Sequence, residues 1–130
     1  MGVSLDSRRT VVVADDDDGF VAALTELLRL EPRISILGRA SDGLEAVQLV
    51  QRLRPDVILM DLQMPGTGGV EATAAIRARG LTTCVIVVSG TRGASVGAAL
   101  DAGADGYVPK GRVAEDLVGT ILGAGLNTPV

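Results

Sequence analysis

Val57-Ile58-Leu59-Met60-Asp61-Leu62-Gln63-Met64-Pro65-Gly66 runs an apolar segment straight into a turn. Four apolar residues in a row, with no polar alternation, fit a strand covered on both faces. Met64-Pro65-Gly66 then breaks the run, because proline lacks an amide hydrogen and glycine admits turn conformations. Asp61 is left at the carboxyl end of the strand, where open α/β sheets hold their ligands. An acid after an apolar strand is ordinary turn chemistry on its own, so its meaning depends on the other strand ends.

Outward from this segment the chain alternates. Val11-Val12-Val13-Ala14 is a β-branched run that ends in Asp15 and Asp16. Phe20, Val21, Leu24, Leu27 and Leu28 follow at helical spacing, with Asp17 and Asp18 placed to cap the helix start. Ile34-Ser35-Ile36-Leu37 predicts a second strand, and Leu44, Val47, Val50 and Leu53 a second helix closed by Pro55. A third helix is expected from about Val70 to Arg79, with Gly80 as its stop. Cys84-Val85-Ile86-Val87-Val88 reads as strand four, followed by a small-residue helix carrying Val96, Ala99 and Leu100. Asp105 to Pro109 is a short fifth strand, and Val113, Leu117, Val118, Ile121 and Leu122 mark a final amphipathic helix. Five strand–helix units with continuously apolar strands predict an α/β fold, a parallel sheet with helices on both faces.

Composition narrows the function. The 130 residues suffice for one domain, and 47% hydrophobic content with only 2% aromatics predicts an aliphatic core. A net charge of -4 with scattered Lys and Arg argues against the chain clamping nucleic-acid phosphates itself. With no His and a single Cys there is no zinc site and no internal disulfide framework, which fits a reducing cytoplasm. Cys84, inside an apolar run, reads as inert core. No apolar run approaches membrane-spanning length, and residues 1–10 lack the apolar centre of a signal peptide.

A parallel sheet points every strand's carboxyl end at one rim. Asp15 and Asp16 follow strand one, Asp61 strand three, Ser89 strand four and Lys110 strand five. Three carboxylates gathered there repel one another unless a cation joins them, and the suitable cation is hard and oxygen-loving, such as Mg²⁺. Lys110 supplies a positive charge for an anionic group and Ser89 a hydroxyl. That set suits phosphoryl transfer to an aspartate.

These residues resemble the response-regulator receiver domain of two-component signalling, over residues 10 to 124. Asp15-Asp16 matches the family's acidic pair, Met60-Asp61-Leu62 with Met64-Pro65-Gly66 its phosphoacceptor segment, Ser89 its Ser/Thr position and Lys110 its lysine. Ser41-Asp42-Gly43-Leu44-Glu45-Ala46 and Ala102-Gly103-Ala104-Asp105-Gly106-Tyr107 look most like the NarL/FixJ-type subfamily. The resemblance implies a flavodoxin-like (βα)5 fold with sheet order 2-1-3-4-5. It implies that Asp61 accepts a phosphoryl group from a sensor histidine kinase, and that the chain is no enzyme beyond its own phosphorylation and dephosphorylation. Asp16, Asp61 and the backbone carbonyl of Gln63 would hold Mg²⁺ (or Mn²⁺), with Asp15 acting through water. Ser89 and Lys110 would bind the phosphoryl oxygens, and Tyr107 would turn inward as the surface of helix four, strand five and helix five repacks. The side chains of Gln63 and Thr91 would tune water attack on the acyl phosphate.

The chain departs from the family in two places. Asp17 and Asp18 extend the acidic pair where the subfamily often has His-Pro, and Gly111 follows Lys110 where many receivers carry Pro. Residues 1–9 read as a tail, and 125–130 as a tail or the start of a linker to an output domain. DNA would be met only through such a domain, homodimerisation could accompany phosphorylation, and no membrane partner is expected. A second reading stays open: Asp16-Asp17-Asp18-Gly19 is similar to the first motif of haloacid-dehalogenase-type phosphatases, with Asp16 as nucleophile. The chain is short for that fold, and a fourth acidic motif should follow a further strand after Lys110, where only Glu115 and Asp116 occur, inside a helix.

Overall fold

The computed structural model of the chain describes residues 8–91 and 93–124. The linker entry read at 125–130 and most of the N-terminal tail lie outside the described residues. Five strands, β1 (Arg9–Ala14), β2 (Ile34–Ala40), β3 (Val57–Met60), β4 (Cys84–Ser89) and β5 (Gly106–Pro109), pair in parallel in the order β2-β1-β3-β4-β5. This is the expected flavodoxin-like arrangement. Helices α1 (Asp18–Arg29), α2 (Gly43–Leu53), α3 (Gly69–Ala78), α4 (Ala94–Asp101) and α5 (Val118–Gly123) connect or close it.

Strand pleating divides the core. Val11 and Val13 point to one face, with Leu24, Leu28, Leu59, Val108, Leu117 and Ile121, whereas Val12 and Ala14 point to the other, with Val47, Val50, Ile58, Met60 and Ile76. Both sets are buried, which is why the strands carry no polar alternation. Each fully buried Val, Leu or Ile contributes about 1.5–3 kcal/mol relative to leaving it exposed.

The caps follow local chemistry. The Asp17 carboxylate accepts the Phe20 N–H at the start of α1, and the Asp42 carboxylate accepts the Glu45 N–H at the start of α2. Glu45 reaches back to the Ser41 N–H at 2.7 Å, so Ser41 to Glu45 forms a reciprocal cap. Gly80, with φ +69°, turns the chain after α3 as expected.

Three local expectations need correction. Leu44 is 58% exposed, because the buried stripe of α2 runs through Gly43, Ala46, Val47 and Val50. Its phase is set by Gly43, where an added Cβ would stand 2.4 Å from the Thr67 carbonyl oxygen. β2 extends to Ala40, and its pairing jumps from Val11↔Ile36 to Val12↔Gly38, leaving Leu37 as an extra residue on an edge strand. The last helical segment is not uniformly α: a 3₁₀ turn (Lys110–Arg112) and a wider π turn (Val113–Leu117) precede α5. The π turn buries Val113 and Leu117 and α5 buries Ile121, so four-residue spacing alone did not distinguish the segment from one α-helix.

Candidate functional site

The site grows from the carboxyl ends of β1, β3, β4 and β5. Ladder pairing carries past the last strand residues: Asp15 N–H donates to the Ala40 carbonyl and Asp61 N–H to the Ala14 carbonyl, each at 2.9 Å. These bonds fix both backbones and turn both side chains into one crevice. Asp15 and Asp61 are 2% and 5% exposed, whereas Asp16 is open to solvent. Carboxylate oxygens of Asp15, Asp16 and Asp61 lie within 4.8 Å of one another, a spacing at which one cation can touch all three.

Lys110 enters the same crevice from the end of β5. Its ammonium lies 2.9 Å from Asp15 Oδ2 and 3.7 Å from Asp61 Oδ2. Burial pulls its pKa down, but the hydrogen bond to Asp15 and the charges of Asp61 and Asp15 outweigh that and hold it above the ordinary lysine value. Asp61 moves upward too. Burial and the Asp15 charge raise its pKa, while Lys110, the Gln63 backbone and the Ser89 hydroxyl offset part of the rise.

A second group of contacts adjoins the acids. Ser89, at the end of β4, is buried and shares a 3.0 Å hydrogen bond with the Thr91 hydroxyl. Tyr107 on β5 is half-buried, and its hydroxyl donates to the Thr91 carbonyl at 3.1 Å. Thr91 thus joins Ser89 to Tyr107. Gln63 is exposed on the loop two residues beyond Asp61. That loop is held tightly against α3: an added Cβ on Gly69 would meet the Asp61 carbonyl oxygen at 2.2 Å.

Two residues near the acids were not singled out from the sequence. Arg39 donates from Nε and Nη2 to the Asp15 carbonyl at 3.1 and 3.0 Å, and its Nη1 lies 2.8 Å from Asp18 Oδ1. One guanidinium therefore braces the backbone of the acidic loop and draws Asp18 to it. Phe20, marked in sequence only by helical spacing, places its ring 4.3 Å below the Lys110 ammonium. Cys84 stands elsewhere, at the amino end of β4. It is half-buried, and its thiol is pushed up to about 11 by burial and the nearby Asp105 charge, which favours the protonated form at neutral pH.

Chemically, the crevice offers a buried carboxylate, further acids to share a cation, an ammonium and a hydroxyl. No helix among the described residues is long and apolar enough to cross a membrane.

Comparisons with known proteins agree on one family. The model for the response regulator receiver domain matches residues 11–122. Protein-glutamate methylesterase/protein-glutamine glutaminase 3 of Myxococcus xanthus is 46% identical over 112 residues, covering 82% of this chain and 32% of that protein. The nitrate/nitrite response regulator protein NarL of Escherichia coli is 36% identical over 110 residues, covering 84% of this chain and 51% of that protein. The chain thus spans about a third to a half of the length of these relatives. The crystal structure of the response regulator domain of Thermotoga maritima CheB superposes with a TM-score of 0.86 at 34% identity, over 94% of this chain and 99% of that one.

Proposed function

Since this chain belongs to the response regulator receiver family, with NarL-type receivers among its relatives, we propose that Asp61 is its phosphoacceptor. The observation that carries the reading is the Asp61 carboxylate, buried at the strand end with the Lys110 ammonium 3.7 Å away and two further acids beside it. The phosphatase reading, with Asp16 as nucleophile, finds no support. Asp16 is exposed, and the paired lysine serves Asp15 and Asp61 instead.

An Asp61 oxygen attacks the phosphorus carried on a sensor kinase's phosphohistidine. The P–N bond breaks with its electron pair going to the imidazole nitrogen, and an acyl phosphate forms on Asp61. The ammonium of Lys110 and the hydroxyl of Ser89 take the phosphoryl oxygens as charge builds on them. Asp16, Asp61 and the Gln63 carbonyl suit a Mg²⁺ (or Mn²⁺) ion, which when bound neutralises the acids and the incoming phosphoryl oxygens. Asp15 already accepts from Lys110 and the Asp17 N–H, which fits a role through water. Gln63 and Thr91, on the loops after Asp61 and Ser89, set how readily water reaches the acyl phosphate.

A group carrying nearly two negative charges draws the Ser89 hydroxyl toward itself. Thr91 then loses its partner, and the Tyr107 hydroxyl loses the carbonyl that holds it. The chain Ser89–Thr91–Tyr107 is the element by which phosphate repacks α4, β5 and α5. Residues 10–124 form this cytoplasmic receiver, which acts on nothing but its own phosphate. The receiver would regulate transcription through an output domain, with dimerisation on phosphorylation and DNA contact through that domain alone.

Intact-mass measurement after incubation with acetyl phosphate and Mg²⁺ tests the reading. Wild type gains one phosphoryl group and Asp61→Asn gains none. Equal uptake by both overturns it.

A further inference from the structure

Four contacts around Lys110 close into a ring. Its ammonium lies 2.9 Å from Asp15 Oδ2, and Asp15 Oδ1 accepts the Asp17 N–H at 2.9 Å. Asp17 Oδ1 accepts the Phe20 N–H at 3.1 Å, and the Phe20 ring returns to the Lys110 ammonium at 4.3 Å from its centroid. The residue that starts α1 therefore also sets the height of the ring under the lysine. We propose that Phe20 is a positioning residue for Lys110: its ring face holds the ammonium over the acidic crevice, where it meets the phosphoryl group. The proposal rests on the receiver reading above and adds a residue to it.

The need for such a support is local. Lys110 follows β5 directly and opens the 3₁₀ turn, and Gly111, the residue after it, is exposed and touches nothing where a side chain would stand. A glycine leaves the backbone beyond the lysine free over much of its conformational space. A lysine side chain adds four rotatable carbons of its own. Two partners limit that freedom: Asp15 from the crevice side and the Phe20 ring from the α1 side. The ring is itself fixed, since Phe20 packs against the core shared by β1, β3 and the last helix. A cation seated on a ring face is attracted by the ring quadrupole, and more strongly once partly shielded from water. Lys110 keeps only 24% of its side chain exposed, so it has that shielding.

The ring also joins two surfaces. Phe20 and Lys110 line one end of a groove of about 310 Å³ between α1 and the Lys110–Leu117 segment, with Leu24, Leu27, Val113 and Ala114 along its length. Anything that shifts the ring from that side moves the ammonium as well.

The test compares Phe20→Leu, which keeps apolar bulk but removes the ring, with Phe20→Tyr, which keeps the ring. Phosphorylation by acetyl phosphate with Mg²⁺ is followed by intact mass over a range of donor concentration, and thermal melts check folding. Phe20→Leu raises the donor concentration for half-maximal rate by roughly fivefold, while Phe20→Tyr stays within about twofold of wild type. An NMR measurement on unphosphorylated protein supplies a second readout. The Lys110 Cε protons are shifted upfield by the ring in wild type and Phe20→Tyr, and return to the ordinary lysine position in Phe20→Leu. Wild type and Phe20→Leu with equal half-saturation overturn the role of Phe20 while leaving Asp61 as acceptor. Unshifted Lys110 protons in wild type overturn the contact itself. Failure of wild type to take up phosphate overturns the receiver reading instead, and the proton shifts still report on the pair.

Discussion

The Lys110 ammonium sits closer to Asp15, at 2.9 Å, than to Asp61, at 3.7 Å. In the unphosphorylated protein its main partner is therefore the buried acid of the first strand end, and its charge offsets the repulsion between two carboxylates that would otherwise face each other uncompensated. Lys110 thus has a structural duty as well as a chemical one.

Lys110→Ala is expected to lose about 1–3 kcal/mol at neutral pH in metal-free buffer, because it leaves two buried acids without their cation. Adding Mg²⁺ should restore more stability to this variant than it adds to wild type, since the metal replaces the missing charge. Chemical denaturation with and without Mg²⁺ checks both statements. An equal Mg²⁺ effect on the two proteins would show that Lys110 and the metal do not share the same acids.

Asp61→Asn should be more stable than wild type at neutral pH with chelator present. Burial and Asp15 raise the Asp61 pKa in the folded state above its unfolded value, so the folded protein holds its proton more tightly. Charge on Asp61 then works against folding at neutral pH, and that cost fades as pH falls through the folded pKa and vanishes below the unfolded one. The stability gap between variant and wild type should shrink accordingly from pH 7 downward. Melting curves across that range measure it, and a gap that widens on acidification would reverse the assigned direction.

The fold was legible because both faces of β1, β3 and β4 are covered, so their residues are apolar without interruption and their ends stand out as acids or hydroxyls. Asp15, Asp61, Ser89 and Lys110 are all such end residues, and a parallel sheet gathers them whatever the loops do. Arg39 was not legible in the same way. Its reach to the Asp15 carbonyl depends on the β1–β2 register after Leu37, and the extra residue there shifts side-chain parity with no pattern to announce it. Phe20 looked like one more apolar position of α1. Only the docking of that helix beside Lys110 turns its ring into a cation's seat. Leu44 failed for the opposite reason, since backbone approach at Gly43 outweighed the burial of one leucine.

Gly69 and Gly97 should respond to alanine in opposite ways. At Gly69 the new Cβ would meet the Asp61 carbonyl oxygen at 2.2 Å and the Leu62 Cα at 3.0 Å, both backbone atoms that cannot yield without moving the acceptor loop. Gly69→Ala should lose about 2–3 kcal/mol and slow phosphoryl uptake by displacing Asp61. Gly97 lies within α4 with nothing near its would-be Cβ, so Gly97→Ala should gain about 0.5–1 kcal/mol from helix propensity. Denaturation midpoints and acetyl phosphate uptake of both variants provide the comparison.

Arg77 of α3 carries the opposite rim of the molecule. Its guanidinium donates to the carbonyls of Gly103 at 2.9 Å, Leu81 at 3.0 Å and Thr83 at 2.9 Å, and to Asp105 Oδ2 at 2.6 Å. The same Asp105 oxygen accepts the Val85 N–H at 2.8 Å, so one side chain ties α3 to the start of β4 and to the turn before β5. The turn is shaped to receive it: Gly103 has φ +115°, and an added Cβ there would meet Arg77 Cγ at 2.5 Å. Arg77→Met keeps the aliphatic stem but takes the guanidinium from three carbonyls and leaves Asp105 Oδ2 with the Val85 N–H alone, a loss of about 2–4 kcal/mol. The acidic crevice lies at the other ends of the strands, so Asp61 should still take up phosphate with the wild-type half-saturation wherever the variant is folded. A variant that melts as wild type does would show that water serves these acceptors equally well. One that stays folded yet loses phosphoryl uptake would show that this rim is coupled to the site through β4 and β5.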